Sequence, residues 1–127
     1  MNSEKSEPKI EKLRQPEIKI EELMLILDNL KWENGYKFIF NGTNLSLFIT
    51  EAEAIKKGMG GLPAEYHYST IVRGFDIYIH DTIPDKDRKR VLFHEILECN
   101  LRDQRFSQEE AHEITLQEEE KIFGKRE

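Results

Sequence analysis

Hydrophobic and polar residues follow a helical period near the start of the chain. The apolar positions from residue 18 onward recur every three or four residues: Ile20, Leu23, Met24, Leu27, Leu30 and, at the end, Trp32. This is the spacing of one face of an α-helix, and Asn34-Gly35 is a typical stop signal. We therefore expect an amphipathic helix that ends at this dipeptide. Residues 1–17 are charged, carry two prolines and have few apolar positions, which predicts a flexible N-terminal segment.

Alternation of apolar and polar residues replaces the helical period from residue 36 onward. Every second position is apolar in two runs that flank the dipeptide Asn41-Gly42. The first run has Tyr36, Phe38 and Phe40, and the second has Leu45, Leu47 and Ile49. This alternation predicts two antiparallel strands, and Asn-Gly between them predicts a hairpin turn. One or two more strands are expected over residues 66–81, with Arg73-Gly74 as a turn or bulge. There, Phe75, Ile77 and Ile79 are expected on one face and Asp76, Tyr78 and His80 on the other.

The segment between these two strand regions carries signals of its own. Thr50 followed by Glu53 has the spacing of a capping box, which predicts a short helix through residue 57. Residues 58–63 read GMGGLP and have the most permissive backbone in the chain. We expect a mobile loop there.

Two longer helices are predicted toward the C-terminus. Pro84 and the acidic residues that follow it are typical of a helix N-terminus, and this helix is expected to span about 84–103. Ser107 and Glu110 form a second capping-box pattern, which predicts a last helix over about 107–123. The loop between the two helices is short, so we expect them to pack against each other either antiparallel or at a steep angle.

The order of these elements predicts an α+β fold, with an N-terminal helix, a small and mostly antiparallel sheet, and two C-terminal helices. The chain has 127 residues, of which 38% are hydrophobic. That length and composition fit one globular domain, which we place at residues 18–127.

The net charge, the lengths of the apolar runs and the single cysteine indicate which partners and which cellular location to expect. The net charge is −6, which argues against nucleic acid as a partner because phosphate binding needs a basic patch. No apolar run approaches the roughly 18 residues of a membrane span, so no membrane partner is expected. Cys99 is the single cysteine and excludes an internal disulfide, which favours a reducing, cytoplasmic location. Cys99 itself is expected to be a buried, unreactive thiol.

The sequence VLFHEILECN at residues 91–100 carries the strongest chemical signal. His94 and Glu98 are four residues apart on a predicted helix, so their side chains project from the same face and could bind one metal ion. Glu95 is rotated by about 100° from His94 around the helix axis. In a metal-dependent hydrolase this is the place of a general base, near the attacking water and not on the metal.

A third metal ligand is expected on the last helix. Catalytic zinc sites usually have three protein ligands and one open position for water. His112 is the only histidine of the last helix, and the short loop allows it to lie over the His94–Glu98 face. The resulting donor set is two imidazoles and one carboxylate. Whether Glu113 or His80 joins the site stays open, as do the identity of the metal and the oligomeric state.

These residues resemble the signature of zincin-type metallopeptidases, H-E-x-x-H on a helix. The resemblance implies that His94 is the first zinc ligand and that Glu95 activates a zinc-bound water. Position 98 departs from the signature, because it is Glu where the family has His. In the gluzincin branch the later ligand is a glutamate, so His112 and Glu98 would be the same ligand types with exchanged positions. The resemblance covers residues 64–123 and implies a minimal zincin fold with a peptide or protein substrate.

Other interpretations of the same residues remain open. Glu98 could be an exposed partner of Arg102, and His112 could be solvated on an acidic helix. The chain could also be a regulatory or interaction module that binds a metal without catalysis, or one that binds no metal.

Other residues with suitable side chains are weaker candidates for the site. Three tyrosines could donate a hydrogen bond to an oxyanion or merely cover a sheet edge: Tyr66, Tyr68 and Tyr78. His67 and His80 lie on predicted strands and lack a ligand partner four residues away. Glu109 and His112 have the E-x-x-H spacing of di-iron proteins, but the chain lacks the second copy and the four long helices that such sites need.

Overall fold

The computed structural model describes residues 14–51, 64–71 and 73–125. Three helices and four strands occur in these ranges. In chain order they are α1 (Ile20–Asn29), β1 (Tyr36–Phe40), β2 (Thr43–Thr50), β3 (Ala64–Ser69), β4 (Gly74–His80), α2 (Asp85–Asp103) and α3 (Gln108–Phe123). The α+β class is therefore confirmed. The short helix expected through residue 57 and the mobile loop expected at 58–63 lie outside the described residues.

The strands form one mixed sheet in the order β1-β2-β4-β3. β1 pairs with β2 and β3 with β4 in antiparallel fashion, whereas β2 and β4 run parallel. Asn41 and Gly42 connect β1 to β2 and have positive φ angles of 47° and 82°. Two positive φ values at the centre of a two-residue loop define a type I′ turn, as the Asn-Gly dipeptide predicts. Arg73, with a φ of 52°, lies in the turn between β3 and β4. The sheet is thus mostly antiparallel, and β3 forms one of its edges.

The first helix ends earlier than its apolar stripe predicts. It stops at Asn29, and Leu30 is already extended with φ −68° and ψ 135°. The side chain of Asn29 donates a hydrogen bond back to the carbonyl of Leu25 at 2.9 Å, one turn earlier in the helix. Trp32 belongs to the extended chain, where the guanidinium of Arg88 lies 4.0 Å from the ring centroid. The predicted end at Asn34-Gly35 is therefore wrong, because tertiary packing accommodates Trp32 without a helical turn.

The two C-terminal helices begin and end close to their predicted bounds. Pro84 is the N-cap residue of α2. Ser107 caps α3 in a complete capping box, since its hydroxyl accepts from the Glu110 amide at 3.1 Å and its amide donates to the Glu110 carboxylate at 2.8 Å. Between the helices, Phe106 is buried and its amide donates to the carbonyl of Leu101 at 3.1 Å. This short loop turns α3 back along α2.

The hydrophobic core lies between the sheet and α2. Buried side chains from both layers and from α1 and α3 form it: Leu23, Phe40, Leu45, Leu47, Ala64, Phe75, Ile77, Ile79, Ile83, Leu92, Phe93, Ile96, Leu97, Cys99, Leu101, Phe106 and Ala111. The buried positions of β4 alternate as predicted, with Phe75, Ile77 and Ile79 inward. In the part of the chain that the structure describes, no helix has the length and apolar character needed to cross a membrane.

A buried polar cluster fixes the C-terminal part of α2 against the β1–β2 turn. Asn100 is almost fully buried, and its amide donates to the hydroxyl of Thr43 at 2.8 Å. Its carbonyl accepts from Asn41 at 3.0 Å and from Gln104 at 2.8 Å. Gln104 in turn exchanges two hydrogen bonds with the backbone of Glu17. These bonds position α2, the helix that carries the H-E-x-x-E sequence, relative to the sheet.

Candidate metal centre

The three residues proposed as metal ligands lie together. Nε2 of His94 lies 2.8 Å from Oε2 of Glu98, and Nδ1 of His112 lies 2.6 Å from the same oxygen. The two imidazole rings are 5.2 Å apart between centroids and inclined at 69°. One possible ligand atom from each residue lies within 4.8 Å of the other two. We call His94, Glu98 and His112 the triad.

The interpretation of Glu98 as an exposed partner of Arg102 is wrong. Glu98 is only 7% exposed, and it contacts both histidines of the triad. Arg102 donates instead to the carbonyl of Phe106 at 3.1 Å. His112 is half exposed, but its ring is held by Glu98 and is not simply solvated. The hairpin loop therefore does what the sequence predicts, since it lays the start of α3 over the His94–Glu98 face.

The donor set of the triad fits a divalent metal ion. Two imidazole nitrogens and one carboxylate oxygen are a ligand combination of catalytic zinc sites. His94 and Glu98 come from adjacent turns of one rigid helix, and His112 comes from the helix packed against it. The half-exposed ring of His112 forms the solvent side of the triad. These features satisfy the requirement for three convergent ligands with access from one side.

Burial and contacts between charged groups act in opposite directions on the pKa values of His94 and Glu98. Burial lowers the pKa of His94, but the hydrogen bonds that its ring donates to Glu98 and Glu119 outweigh burial and raise this pKa to about 9. Burial raises the pKa of Glu98, but contacts with the two histidines outweigh it and hold this pKa below its usual range. Without a metal, His94 is therefore a cation between two carboxylates. A metal ion would take over this role as the local positive charge.

Glu95 lies beside the triad but offers no atom to it. Its side chain is partly buried and lines the same cleft as the triad. Burial raises the pKa of Glu95 to about 7, although the charge of His94 opposes the increase. A carboxylate with a pKa near neutrality is suited to accept and return a proton.

The triad opens into a cleft of about 620 Å³. Residues from β3, α2 and α3 line it: Ala64, Glu65, Tyr66, His67, Val91, His94, Glu95, Glu98, Gln108, His112 and Leu116. Edge strand β3 thus forms one wall, and the two helices form the others. The cleft provides space for a ligand next to Glu95 and the triad.

Of the three candidate tyrosines, Tyr66 lines the cleft. Burial, followed by the charge of Glu98, raises the pKa of Tyr66 to about 12, so its hydroxyl stays protonated at neutral pH. Tyr68 is 57% exposed, and the ring of Tyr78 stacks on Phe48 at 5.3 Å between centroids. These two tyrosines do not belong to the cleft lining.

The remaining candidates lie outside the triad. His80 is bound locally, with Nδ1 2.6 Å from the hydroxyl of Thr82. His67 lines the cleft, where its ring bonds to Glu65. Glu113 is exposed. Within the described ranges, neither Glu113 nor His80 places a ligand atom close enough to the triad to share a metal ion with it. Cys99 is buried, and burial raises the pKa of its thiol well above the usual value, which is the environment expected of an unreactive cysteine.

Two residues near the triad were not predicted from the sequence. Oε1 of Glu119 lies 2.7 Å from Nδ1 of His94, and the other oxygen of Glu119 pairs with Nε of Arg90. Arg90 lies four residues before His94, and Glu119 lies seven residues after His112, so each shares a helix face with a triad histidine. Because α2 and α3 run in opposite directions, residues before His94 face residues after His112. For helices packed in opposite directions, these spacings along the sequence indicate that Arg90 and Glu119 lie near His94.

Comparison of the chain with protein-family models, with curated proteins and with solved structures finds no match in any of the three. The interpretation of the site therefore rests on its own geometry and chemistry.

Proposed function

We propose that the protein is a zinc-dependent hydrolase that cleaves peptide bonds, with His94, Glu98 and His112 as the metal ligands. The observation that carries this proposal is the convergence of the triad beside Glu95 at the side of an open cleft. The peptide as substrate class follows from the resemblance of H-E-x-x-E to the zincin signature. A cytoplasmic location, expected from the single cysteine, is part of the same proposal.

The chain supplies a base and a hydrogen-bond donor for such a reaction. A zinc ion held by the triad would supply Lewis acidity toward water and toward a carbonyl oxygen. Glu95 accepts a proton from water as the water oxygen forms a bond to the carbonyl carbon. Glu95 then gives this proton to the amine nitrogen as the carbon–nitrogen bond breaks. The protonated hydroxyl of Tyr66 can donate a hydrogen bond to the carbonyl oxygen as negative charge develops on it.

The test compares Glu95→Gln with a ligand variant and with a matched control. Glu95→Gln preserves size but removes the base, so zinc content should persist while hydrolysis of a peptide library falls by about 100-fold or more. His112→Ala should lose both zinc and activity. Glu120→Gln, the same change at an exposed position of α3, should retain both. Full activity of Glu95→Gln would exclude Glu95 as the base, and loss of its zinc would make Glu95 a ligand.

A second candidate function is a metal-binding or regulatory module without catalysis. The observation in its favour is the continuous set of contacts from Arg90 through Glu119, His94 and Glu98 to His112, which joins α2 to α3. A metal in that position would brace the helical hairpin. This module is the better description if the zinc-loaded wild type hydrolyses no member of the peptide library.

A further inference from the structure

The imidazole of His94 is held on both of its nitrogen atoms. Nε2 faces the triad, where Oε2 of Glu98 lies at 2.8 Å. Nδ1 faces away from the triad, where Oε1 of Glu119 lies at 2.7 Å. Glu119 therefore approaches the ring from the side opposite to the other two triad residues. This contact fixes the rotation of the ring about its bond to the helix.

The contact with Glu119 also fixes which nitrogen can bind a metal. A carboxylate only accepts hydrogen bonds, so Nδ1 of His94 is the donor in this contact. When His94 carries a single proton, that proton lies on Nδ1, and the lone pair lies on Nε2. A carboxylate behind a ligating histidine selects this tautomer and makes the other nitrogen more basic. Nε2 is then oriented toward Glu98 and His112.

Glu119 is itself held in place by Arg90. The side chain of Glu119 is fully buried, where a polar group needs hydrogen-bond or ionic partners. Nε of Arg90 pairs with Oε2 of Glu119. The same guanidinium donates to the carbonyl of Gly124 at 2.8 Å and to that of Phe123 at 3.4 Å. Arg90 is thus anchored to the end of α3, and it holds the carboxylate of Glu119 against His94.

We propose that Glu119, held by Arg90, is a positioning residue that orients Nε2 of His94 for metal binding. This inference rests on the proposed metal centre. Neither residue offers an atom to the triad, and both act through His94. Removal of the carboxylate behind a ligating histidine typically weakens metal binding by about 10- to 100-fold.

The experiment measures the affinity for Zn²⁺ alone, by competition with a chromophoric chelator, in untagged protein. Glu119→Gln preserves the size of the side chain but removes its charge, and we expect affinity to fall by about 10- to 100-fold. Arg90→Gln should also weaken binding, because it removes the partner that holds the carboxylate of Glu119 against His94. Arg90→Lys retains a cation beside Glu119 and should weaken binding less. Glu120→Gln, the same substitution at the adjacent exposed position, should bind as the wild type does.

A spectroscopic measurement distinguishes positioning from a general loss of stability. In the zinc-loaded wild type, ¹⁵N NMR of the histidine rings should show a protonated, slowly exchanging Nδ1 and a metal-bound Nε2 at His94. In Glu119→Gln the Nδ1 proton should exchange faster, while the ring signals of His112 stay in place. If Glu119→Gln does not fold, the same measurement is made on Arg90→Lys. The exchange rate of its Nδ1 proton is expected to lie between that of the wild type and that of a His94 ring without the Glu119 contact.

Three outcomes are distinguishable. Weaker Zn²⁺ binding together with a faster-exchanging Nδ1 proton supports the positioning role. Wild-type affinity and an unchanged His94 spectrum in the Glu119 and Arg90 variants would overturn it while leaving the metal centre intact. A wild type that binds no Zn²⁺ would overturn the metal centre itself, and the positioning role with it.

Discussion

Nδ1 of His112 lies 2.6 Å from Oε2 of Glu98, although the two residues belong to different helices and are 14 positions apart in the sequence. The contact exists because the loop after α2 returns the chain within a few residues. Arg105 takes a positive φ of 76° in that loop, and the amide of Phe106 bonds back to Leu101. A metal ion bound by the triad would therefore connect two helices that otherwise meet through packing and hydrogen bonds.

We expect bound zinc to stabilise this hairpin. A ligand that binds only the folded state stabilises it by about 2.7 kcal/mol when its concentration is 100 times the Kd. Addition of a chelator to zinc-loaded wild-type protein should therefore lower its Tm in a thermal unfolding experiment. The shift should be smaller in Glu98→Ala, which lacks one ligand. An identical Tm of the wild type with and without chelator would argue for a hairpin that needs no metal.

The buried hydroxyl of Thr115 offers a test of helix packing beside the triad. Thr115 lies on α3 between His112 and Glu119, is fully buried, and its Oγ1 has no hydrogen-bond partner among the described residues. An unsatisfied buried polar group costs about 1–3 kcal/mol. Thr115→Val replaces the hydroxyl with a methyl group of similar size, so the free energy of unfolding should rise by about 1 kcal/mol.

Urea denaturation of the wild type, Thr115→Val and Thr115→Ala measures this effect. Thr115→Ala is the matched control, because it removes the hydroxyl but also a buried methyl group, and it should not gain stability. Destabilisation by Thr115→Val would mean that the hydroxyl has a partner in solution, such as a buried water.

The stability of the metal-free protein should fall as the pH rises from about 5 to about 9. The folded pKa of Glu95 is raised from 4.5 to about 7 by burial, and that of His94 from 6.5 to about 9 by its hydrogen bonds with Glu98 and Glu119, despite the opposing effect of burial. Both groups hold their protons more tightly in the folded state. Their contributions are complete below the unfolded pKa values and are lost as the pH rises through the folded ones. The lowered pKa of Glu98 acts in the opposite direction, and its contribution is lost in acid.

Urea denaturation in the presence of a chelator at pH 5, 7 and 9 tests this prediction. Glu95→Gln should flatten the decrease between pH 5 and 7 and retain the decrease between pH 7 and 9. A stability that stays constant or increases across this range would contradict the assigned directions of the two shifts.

Local sequence signals predicted most of the fold. The structure confirms the Ser107–Glu110 capping box, the Asn-Gly turn and the alternation of β4, all of which depend on residues close together in the chain. The parallel pairing of β2 with β4 was not predicted, because it joins segments separated by β3 and depends on the whole sheet. The end of α1 was predicted wrongly for a similar reason. Trp32 continues the apolar stripe, but it packs on Arg88 of a distant helix in extended chain.

In the candidate site, too, the residues placed by local sequence spacing were predicted and those placed by helix packing were missed. His94 and Glu98 were predictable because a four-residue spacing on a helix is a local property. His112 followed from the short loop between the helices. Glu119 and Arg90 were missed because their contacts require α2 and α3 to pack in opposite directions with a particular register. The short loop left two packing arrangements open, antiparallel or steeply angled, so the spacings along the helices could be used only once the antiparallel arrangement was known.

The proposed function requires that His94, Glu98 and His112 bind one metal ion. Elemental analysis of untagged protein, purified without added metal, tests this most directly when the wild type is compared with His94→Ala, His112→Ala and the control Glu120→Gln. We predict about one zinc per chain in the wild type and in the control, and loss of most of the zinc in both histidine variants, because three protein ligands leave little redundancy. Equal metal content in the wild type and both histidine variants, or no metal in the wild type, would contradict metal binding by these three residues.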